Sequence, residues 1–261
     1  MTTPAPGHAH GHAHGAPGAG ADSGGVPWAG RTLTPSPFAG DDGAADERVV
    51  AALADRDATG PAAVVAALAG TRVFVPVVAV AAGEEASPLT GVTSDTGADM
   101  AVVTLQAPDG RRAMPVFTST AALSAWDPAA RPVPSEVERA ALSAADEGCA
   151  LLVVDPAAER PFVVPRPALE ALAQQRAWRP SWERDDVAAA VRAAAEVEPA
   201  VASAVVERGR RAETAVVLAL APGLDRPALD ALLERVQTRL AASPLVAEAV
   251  DSLEVRLTTA S

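Results

Sequence analysis

Residues 99–117 read DMAVVTLQAPDGRRAMPVF, and they form the clearest structural pattern in the chain. Two runs rich in β-branched and other apolar residues, 99–106 and 111–117, lie on either side of a Pro-Asp-Gly turn. In such a turn Pro108 restricts φ to a turn value, and Gly110 adopts a positive φ without strain. The pattern therefore predicts a β-hairpin.

The two strands of this hairpin are predicted to differ in their surroundings. Residues 100–105 are apolar on both faces, which is typical of a central strand that is covered on both sides. Pro115 lacks a backbone N–H, so we expect the return strand to lie at a sheet edge or to carry a bulge there.

The elements around the hairpin predict an α/β (α+β) domain with a mixed sheet of about five strands. Ser135 and Glu138 form an S-x-x-E pattern, which predicts a capping box for the helix that follows. Thr118 or Ser119 is expected to cap a short helix that ends near Trp126. The other helices are predicted over 47–54, 61–69 and 167–175, and the other strands over 72–80, 149–155 and 160–164.

A second, smaller unit is predicted near the end of the chain, with the α-β-β-α-β order of a two-layer sandwich. Its clearest element is an amphipathic helix over 225–240, whose large apolar residues fall on one face. Alternating apolar and polar residues over 253–258 predict a half-exposed strand. A helix over 185–196 and strands over 200–207 and 213–220 complete this unit.

The chain begins with a segment whose composition predicts disorder. Residues 1–45 are rich in Gly, Pro, Ala, Ser and Thr, so they bury too little apolar surface to offset chain entropy. Trp28, Leu33 and Phe38 are isolated large apolar residues in it, and we interpret them as a segment that docks on this protein's own body or on a partner. The predicted domain boundaries are 1–45, 46–176 and 185–258.

The charge and apolar pattern of the chain disfavour several classes of function. The formal net charge is −12, which is unfavourable for contact with nucleic-acid phosphates and with anionic membrane surfaces. The longest apolar run is far shorter than the ~20 residues that a membrane-spanning helix needs. No basic and apolar leader of the signal-peptide type is present at the start of the sequence, so we expect a cytoplasmic protein.

The residue types on which most catalytic sites depend are scarce. The sequence contains no Lys and no Tyr, and its four histidines all belong to the leading segment. Imidazole and amine general bases, Schiff-base nucleophiles and phosphate-binding lysines are therefore missing from the body of the chain. Any catalysis there would depend on carboxylates, Arg, Ser, Thr or Cys149. The four histidines are a candidate weak metal-binding site, with incidental chelation as the alternative: His8, His10, His12 and His14.

Two further groups are candidate reactive residues. Cys149 is the single cysteine, and its place at the start of an apolar strand favours a buried, unreactive thiol over a catalytic one. Thr118, Ser119 and Thr120 offer hydroxyl groups, but no His or Lys in the body is present to activate them. A capping role for these hydroxyls is therefore expected.

Three motifs around the hairpin resemble the N-terminal domain of the SseB (enhanced serine sensitivity) family. They are DMAVVTL (99–105), PDGRRAMPVFTS (108–119) and WDPAARPV (126–133). The leader motifs PWAGRTL (27–33) and FAGDDG (38–43) resemble those of actinobacterial members. The first resemblance covers about 48–175, and residues 185–258 resemble the family's C-terminal domain through weaker motifs.

This resemblance implies a serine-sensitivity phenotype without an established activity, cofactor or set of catalytic residues. The matched motifs bring four residues toward one end of the hairpin, and we hypothesise that these form a binding surface: Phe117, Thr118, Ser119 and Trp126. The expected function is a non-catalytic, cytoplasmic protein-binding adaptor without a cofactor. The alternatives are a sulfur-handling or other enzyme accessory that uses Cys149, and weak metal binding by the histidine tail. The oligomeric state stays open.

Overall fold

The computed structural model describes residues 37–79 and 100–260, and it divides the chain into two units. The first unit, Met1–Asp41, is described from residue 37 onward, where the N–H of Asp41 donates to the carbonyl of Phe38 over 3.1 Å. The second unit begins at Asp42 and contains all the helices and strands below. The predicted disorder of the leading segment falls almost entirely outside the described residues.

The second unit opens with three short helices: α1 (Glu47–Ala54), α2 (Arg56–Thr59) and α3 (Pro61–Leu68). Asp46 caps α1, because its carboxylate accepts the N–H of Arg48 over 2.8 Å. Pro61 occupies the first turn of α3, where a missing N–H leaves no bond unmade. The two predicted helices in this region are confirmed, with α2 added between them.

A three-stranded antiparallel sheet follows, in the order β2-β1-β5: β1 (Arg72–Ala79), β2 (Met100–Val102) and β5 (Arg131–Glu136). Sequence analysis did not predict β5, because its two prolines argue against an interior strand. The strand lies at the edge of the sheet and has no neighbouring strand on one side. The missing N–H groups of Pro132 and Pro134 are tolerated there because no strand on that side needs them as donors.

The predicted capping box at the next helix, α5 (Val137–Asp146), is wrong. The residue before the helix is Glu136, which ends β5 and makes no side-chain cap. The hydroxyl of Ser135 donates to the carbonyl of Glu136, and the carboxylate of Glu138 accepts the N–H of Gly70 over 2.6 Å. Because the chain enters α5 directly from a strand, Ser135 and Glu138 do not cap the helix and bind other partners instead.

A four-stranded sheet has the order β3-β4-β6-β7: β3 (Leu105–Gln106), β4 (Arg112–Val116), β6 (Leu151–Val154) and β7 (Phe162–Val164). The pair β4-β6 is parallel and the other two pairs are antiparallel, so the predicted mixed character is confirmed. Helix α6 (Arg166–Ala173) follows β7. The strands are thus divided between two sheets instead of forming the predicted single sheet of about five.

The predicted strand over 99–106 is divided between these two sheets. Its first part is β2, which pairs with β1, and its second part is β3, which pairs with β4. Val103 and Thr104, both buried, carry the chain from one sheet to the other. Both parts lie at sheet edges, so the prediction of one central strand is wrong. An isolated bridge between Phe74 and Phe117 connects the sheets.

Pro115 occupies a gap in the pairing of β4. The ladder with β3 ends at Ala113, and the bridge to the other sheet begins at Phe117. The missing N–H of Pro115 therefore costs no bond to β3. At Pro115 itself, β4 has no partner on the β3 side, as an edge position requires. The strand as a whole is not at an edge, because β4 lies between β3 and β6.

The first hydrophobic core packs α1, α3, α5 and α6 against the strands of both sheets. Its side chains are mainly Val, Leu and Ala, as the composition requires. The most deeply buried large members are Val64, Leu68, Val73, Met114, Val116 and Leu152.

The last part of the chain is a two-layer α/β arrangement, as predicted. Its sheet has the order β10-β9-β8, with β9 parallel to β10 and antiparallel to β8. Three helices cover one face and enclose the second core. One of them, α9, was not predicted. The elements are α7 (Asp185–Ala195), β8 (Val201–Arg208), β9 (Thr214–Leu220), α8 (Arg226–Ala241), α9 (Pro244–Ala249) and β10 (Leu253–Thr259), with a 3-10 turn at Ser181–Glu183 before them.

In the parts of the chain that the structure describes, no helix is both long enough and apolar enough to cross a membrane. Residues 46–176 and 185–258 both belong to the unit that begins at Asp42, although each segment has a hydrophobic core of its own. The boundary between them stays a prediction.

Candidate functional site

The residues singled out around the hairpin end come together at helix α4 (Thr120–Trp126), which follows β4. Ser119 precedes the helix, and its hydroxyl accepts the N–H of Ala122 over 3.0 Å. This bond satisfies one of the free N–H groups of the first turn. The predicted cap of the short helix is thereby confirmed at Ser119.

A small aromatic cluster lies beneath α4. The ring of Phe117 is completely buried, and its centroid lies 5.4 Å from that of Trp126, with a tilt of 41° between the rings. This tilted arrangement suits the quadrupoles of two aromatic rings. Phe74, Leu123 and Ala130 complete the buried cluster.

The side chains above the cluster form the accessible part of the site. Trp126 is half-buried, as are Val78 and Ala122, and all three pack against the cluster. We call these three residues the Trp126 surface. Of the two aromatic residues in the predicted binding group, only Trp126 is therefore open to a partner, while Phe117 supports it from the interior. The assignment of the group as a binding surface stays a prediction.

Thr118 is held by a residue that sequence analysis did not identify. Its N–H and its hydroxyl both donate to the carboxylate of Asp155, over 2.9 Å and 2.7 Å. Asp155 follows β6 directly and has φ of +49°, a conformation that Asp adopts more readily than most residues. The sequence signal available for it was an Asp-Pro pair immediately after an apolar strand.

Arg72 adds a second brace to the same region. Its guanidinium lies 4.1 Å from the ring centroid of Phe74, and it donates to the carbonyl of Thr118 over 2.7 Å. It also donates to the carbonyl of Ala44. Hydrogen bonds and a cation–π contact therefore fix the backbone on which the Trp126 surface rests.

The hydroxyl groups near α4 serve the structure. Thr118 is bound to Asp155, Ser119 caps the helix, and the hydroxyl of Thr120 donates to the carbonyl of Gly43. A nucleophile needs access to substrate and a base held by a third group. Thr118 is only 7% exposed, and its carboxylate partner is used twice by the same residue. The arrangement therefore favours bracing over nucleophilic chemistry.

Cys149 is buried, as predicted, with 5% of its surface exposed. Burial is the main cause that raises the pKa of its thiol, and Arg112 only partly opposes this. Such an environment disfavours the thiolate that catalysis requires. In the described ranges, no three His, Cys, Asp or Glu side chains lie close enough together to hold a metal ion.

Several predicted site residues lie outside the described residues. They are Trp28 and Leu33 of the docking segment, and the candidate metal ligands His8, His10, His12 and His14. Phe38, the third docking residue, is described and half-buried.

Comparison with known protein families identifies one part of the chain. Residues 46–171 match the family model of the SseB protein N-terminal domain, which covers just under half of the sequence. This segment contains β1 to β7, α4 and the Trp126 surface. No curated protein and no solved structure matches the chain.

Proposed function

We propose that this chain is an SseB-family protein that acts by binding another protein through the Trp126 surface, and not by catalysis. The observation that carries the proposal is a half-buried tryptophan held on a fully buried aromatic cluster, within the segment that matches the SseB N-terminal domain. As part of the same proposal, the protein is located in the cytoplasm and contributes to the serine-sensitivity phenotype of the family.

The chemistry of the surface supports protein binding. Tryptophan is among the residues most enriched at binding hot spots, where a large ring enters an apolar pocket of the partner. Here Trp126 packs against the cluster that contains Phe117 and Leu123, and both of these side chains are almost completely buried from solvent. A side chain supported in this way loses little conformational freedom when it binds.

The surroundings of the surface support rigidity as well. Arg72 on β1 donates to the carbonyl of Thr118, which lies just after β4, and Phe74 bridges Phe117, so both contacts join the two sheets below α4. Asp155 in turn holds Thr118 in place. A preorganised surface gains affinity because less ordering is needed on association. The buried thiol of Cys149 gives no support to an enzyme accessory that would use it.

The proposal is tested by site-specific crosslinking followed by affinity measurement. A photo-crosslinking amino acid replaces Ala125, which is exposed beside Trp126, and a control carries it at Val197, which is 64% exposed in the last part of the chain. The proteins are expressed in the native host and irradiated. A partner that crosslinks through position 125 but not through position 197 is then purified, and its Kd is measured.

We expect Trp126→Ala to weaken that Kd by about thirty-fold or more, as loss of a hot spot does. The matched control Val197→Ala should change it by less than about two-fold. Phe117→Ala removes a buried ring and should lower the free energy of unfolding by about 3–5 kcal/mol. Equal Kd values for wild type and a folded Trp126→Ala variant would contradict the proposal.

A further inference from the structure

A concave region that includes none of the Trp126 surface lies between α3 and the residues that follow α6. It is a groove of about 540 Å³ with largely apolar walls. One wall is the side of α3, and the floor belongs to the first core. The apolar lining consists mainly of Ala62, Val65, Ala66, Ala69, Leu172 and Trp178. Its size falls within the range typical of sites for small molecules.

The residues opposite α3 carry hydrogen-bond donors that make no hydrogen bond within the described part of the chain. Nε1 of Trp178 is buried and makes no hydrogen bond to any described residue. The guanidinium of Arg176 is exposed and forms no ion pair with the described part of the chain. Gln175 lines the same wall. Such a wall is complementary to an acceptor, above all to a carboxylate.

The backbone of this wall is strained at Gln175. Its φ is +54°, and it ends α6 at a position where glycine is usual. Asp155 is the other non-glycine residue with positive φ in the described ranges. A side chain kept in such a conformation costs of order 1 kcal/mol, and strain of this kind is concentrated at binding sites. The strained residue, Gln175, is thus a polar residue that lines the groove.

The charged residues of the groove indicate which charge a ligand's head group should carry. Among the described residues that line the groove, Glu138 is the one acidic residue, and one of its oxygens already accepts the N–H of Gly70 over 2.6 Å. Arg176 has no comparable partner in the described residues. An anionic ligand head is thus favoured beside Arg176, and an apolar body fits against the alanines of α3.

We propose that this groove binds a small apolar monocarboxylate, with its carboxylate on Arg176 and its hydrocarbon part between α3 and Trp178. A rotation of the indole exposes Nε1 to the bound carboxylate, which supplies an acceptor that this N–H does not have among the described residues. A buried donor without an acceptor is unfavourable, so the ligand relieves that penalty when it binds. The site is independent of the proposed protein-binding surface.

The test uses linear carboxylates as probes in calorimetric titrations of the full chain. Hexanoate, octanoate and decanoate should bind at one site, with affinity rising roughly ten-fold for each two added methylenes that are buried. Octylammonium, which has the same apolar body and the opposite charge, should bind at least about ten-fold more weakly than octanoate.

Three variants locate the binding. Arg176→Glu should weaken octanoate binding at least about ten-fold, while Arg192→Glu, a matched change at an exposed arginine of α7, should leave it within about two-fold. Ala66→Phe fills the groove from an exposed helix position and should abolish binding. Trp178→Phe keeps the ring, removes the N–H, and should weaken binding.

Several results would overturn the inference. These are no saturable binding of any carboxylate by the wild type, equal binding by the Arg176→Glu and wild-type proteins, or equal binding of octanoate and octylammonium. Binding of an apolar peptide by a wild-type protein that ignores octanoate and decanoate would also overturn it, because the groove would then be a peptide site. None of these results would bear on the Trp126 surface.

Discussion

The carboxylate of Asp251 lies 2.8 Å from Nη1 of Arg111, although 140 positions separate the two residues. The same oxygen accepts the N–H of Arg166, at the start of α6, over 3.0 Å. The guanidinium of Arg166 in turn donates to the carbonyls of Ala247 and Val250, over 2.6 Å and 3.1 Å. A nearly buried carboxylate thus ties the hairpin and α6 to the last part of the chain.

Replacement of Asp251 by Asn should destabilise the protein measurably. The variant removes the more buried of the two carboxylates that pair with Arg111 and leaves Asp109 as its remaining partner, at a cost of about 2 kcal/mol. The matched control is Asp230→Asn, which removes an exposed pair with Arg226 on α8 and should cost less than about 0.5 kcal/mol. The free energy of unfolding in urea measures both. Equal effects of the two substitutions would show that Asp251 does not connect the two parts.

Glu213 lies at the same junction and should oppose folding at neutral pH. Its carboxylate accepts the N–H of Asp251 over 2.7 Å, but burial raises the pKa of Glu213, with the charge of Asp251 acting in the same direction. Because the folded pKa is raised, the penalty is absent below the unfolded value near 4.5. It grows as the pH rises through the folded pKa.

Glu213→Gln retains an acceptor for the Asp251 N–H and removes the charge. We therefore expect this variant to be more stable than wild type at pH 7, with an advantage that shrinks as the pH is lowered toward 4. Urea unfolding of both proteins across this range is the measurement. An advantage that stays constant from pH 7 to pH 4 would contradict the raised pKa as its cause.

Glu198 should have the opposite pH dependence. Its carboxylate is 2.6 Å from Nη2 of Arg235 and 2.7 Å from Nη1 of Arg239, and these hydrogen bonds lower its pKa from 4.5 to about 2. The stability that this carboxylate contributes is present above pH 4.5 and is lost as the pH falls toward about 2.

Glu198→Gln should accordingly be less stable than wild type at pH 7, and the difference should vanish near pH 2. Thermal unfolding followed by circular dichroism at several pH values measures this convergence. If the two melting curves differ equally at neutral and at acid pH, the arginine pairs do not account for the stability.

Cys149 should react slowly in the native protein. Burial covers its Sγ and raises the pKa of its thiol, so both access and thiolate content are low. Labelling by a disulfide reagent should be at least about a hundred-fold slower in buffer than in urea, since the folded protein must open first. Cys149→Ala should keep full function in the native host. Rapid labelling of the folded chain would restore the thiol as a candidate reactive group.

The local elements of this protein were predictable from its sequence because their causes are local. Ser119 and Asp225 cap helices through bonds to residues three positions away. The helix α8 follows from apolar residues at helical spacing, of which Leu232, Val236 and Leu240 are buried. The strand β10 follows from alternation. For such elements the side chains that decide the conformation lie within one or two turns of each other.

The pairing of strands was not predictable in the same way. The apolar run 99–106 indicates burial, but apolar character alone does not say which strand it pairs with. The strand β5 contains two prolines and is tolerated only because it lies at an edge, beside β1. Its existence therefore depends on a neighbour that is distant in the sequence.

The candidate site also combines features that follow from local sequence with features that depend on long-range packing. That Phe117 and Trp126 lie close together follows from the sequence, because only two residues and one short helix separate them. Packing of the sheets and helices is what buries Phe117 completely and leaves Trp126 accessible. The same packing pairs Asp155 with Thr118 and Asp251 with Arg111. Burial and long-range hydrogen bonds depend on how sheets and helices pack, and residues far apart in the chain meet only through that packing.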